Sequence, residues 1–168
     1  MTDVERLLAI EEIKQLKARY FRCVDSQDWN GFSTIFTDDA LMDMTEALQV
    51  RDPSTGELQA PALPGAADFA ASHQDEMRPR GAKTIVDWVS SQVGGGLTVH
   101  HGHMPEIEIT GPDTARGVWA MDDIVQFREG MHLKGMHGFG HYHESYARGP
   151  DGWRISSTKL TRSRLELF

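Results

Sequence analysis

One cysteine, Cys23, is present among 168 residues, so no disulfide can close within the chain, and a reducing cytoplasm is the expected compartment. Long apolar runs are missing too. No stretch approaches the roughly 18 residues of a membrane span, and the first residues are charged with a helical pattern rather than a secretion signal. Basic charge is in short supply: 17 Lys and Arg face 25 Asp and Glu, a net charge of -8. Like charges would have to be pressed together at a nucleic acid or an anionic membrane, so neither is an expected partner. There is no internal repeat, and the length fits one domain that buries roughly two-thirds of its unfolded surface. The expected partner is a small molecule.

Periodicity divides the chain. Thr2 and Glu5 have capping-box spacing, and Val4, Leu7, Leu8, Ile13, Leu16, Tyr20 and Val24 recur at three- and four-residue steps. This predicts one long amphipathic helix ending near Ser26. Phe32, Ile35 and Phe36 suggest a short helix from Trp29 to Phe36, and Ala40 to Met44 a short strand. From Glu46 to Arg80 there are four of the seven prolines and few large apolar residues, a loop long enough to act as a lid or a subunit contact. Ala82 to Val93 reads as a third helix stopped by Gly94, Gly95 and Gly96.

Four strand-like stretches follow, Leu97 to Ile109, Ala115 to Phe127, Leu133 to Ala147 and Trp153 to Leu165, separated by Gly111-Pro112-Asp113, Glu129-Gly130 and Pro150-Asp151-Gly152. Consecutive antiparallel pairing is the simple topology. Three helices and a strongly curved, mainly antiparallel sheet make an α+β fold whose open end leaves one conical pocket.

Alternation places Asp123 on one face with Gly117, Trp119, Met121, Val125 and Phe127. A carboxyl on an apolar face either turns neutral and acts as an acid, or pairs with a cation. Alternation also sends His100 to the face opposite His101 and His103, and puts Ile107 and Ile109 with His101, unless a bulge at Gly102 and Pro105 intervenes. Met42, Met44, Met104 and Met121 read as packing or pocket lining.

The run Ile13-Lys14-Gln15-Leu16-Lys17-Ala18-Arg19-Tyr20-Phe21-Arg22-Cys23-Val24-Asp25, followed by Trp29, resembles the opening helix of SnoaL-like dehydratases in the nuclear-transport-factor-2-like superfamily. His100-His101-Gly102-His103-Met104-Pro105-Glu106-Ile107 and Gly117-Val118-Trp119-Ala120-Met121-Asp122-Asp123 resemble strands of the bile-acid 7α-dehydratase group. The resemblance to scytalone dehydratases and hexachlorocyclohexane dehydrochlorinases is more distant. It covers most of the chain outside the Glu46 to Arg80 insertion.

The resemblance implies five site residues, Tyr20, Asp25, His100, Asp123 and Arg162, a homo-dimer or homo-trimer, and no metal or organic cofactor. Eliminating water beside a carbonyl requires removing a C–H proton, holding an enolate and protonating a hydroxyl that leaves poorly. His100 would be the base and Asp25 would fix its tautomer; Tyr20 or a neutral Asp123 would donate. Arg162 would bind a substrate carboxylate or hold Asp123 ionised.

Three alternatives stay open. Gly95, His101, His103 and Glu108 have spacing near a cupin metal motif, with His137, His141 and His143 on a later strand. The same superfamily includes binding and assembly modules, among them ring-dioxygenase small subunits. Isomerisation or cyclisation would use the same proton-transfer groups.

Overall fold

The computed structural model describes residues 1–59, 72–131 and 133–168. Helix α1 runs Asp3–Asp25. The Thr2 hydroxyl accepts from the Glu5 N–H and the Glu5 carboxylate from the Thr2 N–H, so both orphan donors are satisfied. Ala9, Ile13, Leu16, Tyr20, Cys23 and Val24 are buried on one side, whereas Val4, Leu7 and Leu8 extend the period into solvent. Spacing alone does not separate these classes.

Helix α2 is shorter than expected, Trp29–Ser33, and strand β1 begins earlier, at Phe36–Asp43. The reason lies far away in sequence. Ile155 donates its N–H to the Ile35 carbonyl, and Phe36 pairs with Ile155, which pulls this segment out of helix and onto a parallel ladder. The Glu46 to Arg80 region is not all loop. It holds β2 (Val50–Arg51) and β3 (Leu58–Gln59), with Val50 beside Arg162; residues 60–71 of the expected lid lie outside those described. Helix α3, Ala82–Val93, is where the periodicity places it.

The remaining strands are β4 (Leu97–Gly111), β5 (Thr114–Gln126), β6 (Gly135–Gly149) and β7 (Gly152–Leu167), paired consecutively and antiparallel. The sheet order is β3-β2-β7-β6-β5-β4, with β1 also on β7. The fold is α+β: among the described residues, three helices of five residues or more, α1, α2 and α3, lie on a mixed, mostly antiparallel, curled sheet. Register shifts at Gly102/Pro105 in β4 and, opposite Phe139/Gly140 and Ser145/Tyr146 of β6, at the extra residues Ser163 and Ser156 of β7 bend it. The first of these corrects a face assignment. Beyond the bulge, Ile109 is buried and Ile107 packs on the core, opposite in side to exposed His101. Among the described residues one core cluster joins α1, α2, α3 and the inner faces of β1 and β4–β7. No helix among the described residues is long and apolar enough to cross a membrane.

Candidate active site

Strand β4 presents His100 inward, its side chain 9% exposed, while His101 and His103 face out. Asp25, the last residue of α1, meets it there. The Asp25 carboxylate takes His100 Nδ1 at 2.6 Å, the His100 main-chain N–H at 3.0 Å and the Thr98 hydroxyl at 2.8 Å. Burial pushes the Asp25 carboxyl up, but these hydrogen bonds outweigh it and hold the group below the usual carboxylate range. An ionised Asp25 requires the proton on Nδ1, which leaves Nε2 as the basic nitrogen. The Phe21 ring lies nearly parallel to the imidazole, 13° apart with centroids at 6.1 Å. Gly102 makes room for it, since a Cβ there would stand 2.5 Å from the Phe21 ring.

Asp123 pairs with His100 across the β4–β5 ladder. The sequence leaves two roles for Arg162, and the geometry selects one. Arg162 Nη1 and Nη2 each donate to one Asp123 oxygen at 2.8 Å, Nε donates to the Ala47 carbonyl at 3.2 Å, and the side chains are only 1% and 4% exposed. A bidentate guanidinium contact suits a carboxylate anion, so a neutral Asp123 acting as an acid does not fit. Each guanidinium nitrogen already has a protein acceptor, which also argues against Arg162 as a substrate-carboxylate clamp. Gly138 allows this pair to lie flat on β6: a Cβ there would meet Arg162 Nη1 at 2.3 Å.

Tyr20 is buried mid-helix, its hydroxyl driven above its ordinary pKa by burial and then by the charge of Glu144, so it stays a neutral donor. Tyr20, His100, Asp123 and Arg162 line one cavity of about 320 Å³; Asp25 stands behind His100. The walls are mostly apolar, with Trp88, Phe127 and the methionines 42, 44, 77, 131 and 136, and His73, Glu76 and Gln92 add polar groups. Of the methionines singled out by sequence, Met121 touches Arg162 from the core and Met104 is 92% exposed. A larger hollow of about 690 Å³, along residues 106–108, 116–118 and 143–145, contains none of the five expected site residues.

The metal alternative fares differently. Glu108 pairs with Arg116, remote from His101 and His103. On the outer face the Asp122 carboxylate is approached by His101 at 3.3 Å, His103 at 3.0 Å and His137 at 3.4 Å. Among the described residues no group of three or more His, Cys, Asp or Glu is arranged to hold a metal ion.

Sequence reasoning missed Lys17, Tyr142 and Glu144. Lys17 was visible in principle, since it falls between Ile13 and Tyr20 on the buried stripe. Glu144 and Tyr142 alternate with outward His141 and His143 on β6.

A sequence model of the SnoaL-like domain matches residues 5–159. The protein named probable cyclase FGR4 of Gibberella zeae is 26% identical over 155 residues, covering 89% of this chain and 88% of that one. Among solved structures, a type-2 hexachlorocyclohexane dehydrochlorinase (LinA) superposes with a TM-score of 0.71 at 16% identity, covering 99% of this chain and 93% of that one. A proposed scytalone dehydratase of Novosphingobium aromaticivorans gives 0.68 at 12% identity, covering 99% and 92%.

Proposed function

The chain belongs to the SnoaL-like domain family, and from that premise we propose that it is a dehydratase that eliminates water from a hydrophobic, steroid-like hydroxylated ketone. We assign the chemistry to acid–base groups of the protein alone, without a metal or organic cofactor. The observation that carries this reading is the Asp25–His100 dyad, whose free ring nitrogen belongs to a residue lining an apolar cavity.

His100 Nε2 takes the proton from the carbon whose anion is conjugated with the carbonyl, the α carbon of a simple ketone or the γ carbon of an enone. The electron pair moves onto the carbonyl oxygen, and the Tyr20 hydroxyl holds the resulting enolate. Asp25 stabilises the imidazolium. The enolate then re-forms the carbonyl and expels the hydroxyl, which receives the proton from His100 and leaves as water. Base and acid are the same group at successive moments, so Asp123 is not needed as a donor; with Arg162 it supplies a rigid, polar wall.

A second reading has one observation behind it, the similarity to a protein named as a cyclase. In that case the same enolate would attack a second carbonyl instead of expelling hydroxide. Incubating chelator-treated protein in deuterated water with a panel of hydroxylated steroid and polyketide ketones separates the two by mass spectrometry. Loss of one water from a steroid supports dehydration; a water lost only with ring closure of a polyketide transfers the assignment to cyclisation. Deuterium incorporated into an isomer of unchanged composition, without either product, transfers the assignment to an isomerase.

The reading includes a cytoplasmic homo-dimer or homo-trimer. The lone reduced Cys23 and the exposed Leu97, Val99 and Ile124 support it.

A further inference from the structure

The buried face of α1 carries one charge. Lys17 Nζ donates to Glu144 Oε1 at 2.6 Å, with both side chains at 0% exposure. Glu144 accepts two further bonds, from Thr158 at 3.1 Å and from Tyr146 at 2.5 Å, and the Tyr146 oxygen accepts from Trp119 Nε1 at 2.8 Å. The carboxylate is thus fully satisfied, and the ammonium is not. Its remaining N–H groups meet ring faces: Nζ lies 3.6 Å from the Tyr142 centroid, 4.0 Å from that of Tyr20 and 4.9 Å from that of Phe21.

Stability alone does not call for such a pair, because apolar residues of the same volume would hold the core as well or better. Its placement suggests another use. Tyr20 and Tyr142 are the two phenols lining the cavity, with ring centroids 5.9 Å apart. A cation on the face of a phenol draws electron density from the ring and strengthens its O–H as a donor. The gain grows with charge on the acceptor, so it is larger for an enolate oxygen than for the starting ketone. Burial meanwhile raises both hydroxyls above their ordinary pKa, and each keeps its proton while donating.

We propose that Lys17 is a positioning residue that polarises Tyr20 and Tyr142 from behind, making them a paired donor site for the oxyanion of an enolised ring ketone. This rests on the reading of the cavity as a proton-abstraction site. The assignment of Tyr142 to substrate contact is new, and Lys17 acts only through the phenols.

The test uses two phenols of similar shape and different acidity, 6-cyano-2-naphthol and 6-methoxy-2-naphthol, titrated into wild type, Lys17→Met, Lys17→Arg and the double variant Lys17→Met/Glu144→Leu. The double variant leaves no unpaired buried charge, so it keeps the test open if Lys17→Met does not fold. Wild type should prefer the more acidic naphthol. That preference should fall about tenfold in Lys17→Met and in the double variant, the scale of a desolvated cation–π contact, and return in Lys17→Arg. Equal weakening of both naphthols would reduce Lys17 to packing and overturn the proposal, as would an unchanged preference or a wild type that prefers neither. The dehydratase reading fails separately, when wild type prefers the acidic naphthol yet releases no water from any ketone.

Discussion

Replacing Arg162 with Met removes the sole guanidinium of the Asp123 pair while keeping much of the side-chain volume. The carboxylate left behind is 4% exposed and loses both of its 2.8 Å donors. Breaking a buried pair in this way costs about 3–5 kcal/mol, a large part of the roughly 5–15 kcal/mol that holds a domain together. For a chain of this length the thermal midpoint should fall by roughly 6–20 °C. Replacing Asp123 with Leu in the same protein should recover most of the loss, because the cost lies in the stranded charge rather than in the missing attraction. Urea denaturation of the two single variants and the double gives the coupling directly. A loss below about 1 kcal/mol for Arg162→Met, or a double variant as unstable as the sum of the singles, would refute the reasoning.

Gly138→Ala should produce a milder version of the same damage, about 1–3 kcal/mol by overpacking, since its methyl would collide with Arg162 Nη1 at 2.3 Å; an unchanged urea midpoint would contradict the flat packing described. Asp25→Asn keeps the shape but offers His100 Nδ1 an amide in place of a carboxylate, so kcat for the proposed elimination should drop by about 10³–10⁴ while the fold persists. Kinetics within tenfold of wild type would remove Asp25 from the mechanism. Stability should also depend on acid. Burial raises the carboxyls of Asp25, Glu46 and Asp122, yet hydrogen bonds from His100, from Lys159 and Arg51, and from the outer histidines hold all three below their usual range. The unfolded chain therefore binds more protons than the folded one as pH falls. Their stabilisation is complete above about pH 5 and is lost below about pH 4 as the folded pKa values are crossed. Urea midpoints that do not decline over that interval would count against these contacts.

Much of the fold is legible in the sequence because its determinants are local. The Thr2–Glu5 capping box, the Gly94–Gly96 stop and the turns between the four long strands each involve residues a few positions apart, and each appears where expected. What escapes is decided at long range. Phe36 enters a strand because Ile155 is there to pair with it, and two-residue β2 has too little pattern to announce itself. The bulge after Gly102 turns Ile107 and Ile109 inward, although strict alternation assigns them to the outer face. The site shows the same division. Asp123 stands out as a carboxyl in an apolar alternation, but only three-dimensional contact decides that Arg162 is its ion-pair partner rather than a clamp for substrate. Lys17 hides because a lysine on a helix ordinarily reaches solvent, and its partner Glu144 is 127 positions away.

The most direct test of the central claim is the ultraviolet spectrum of 7-hydroxy-3-oxo-Δ4 steroids mixed with chelator-treated wild type and with His100→Ala. A new, red-shifted conjugated dienone band is expected with wild type, formed at least about a hundredfold more slowly by His100→Ala. A dienone formed equally fast by both proteins would contradict proton abstraction by His100, and no band from wild type with any of the steroids would contradict the proposed steroid-like dehydratase.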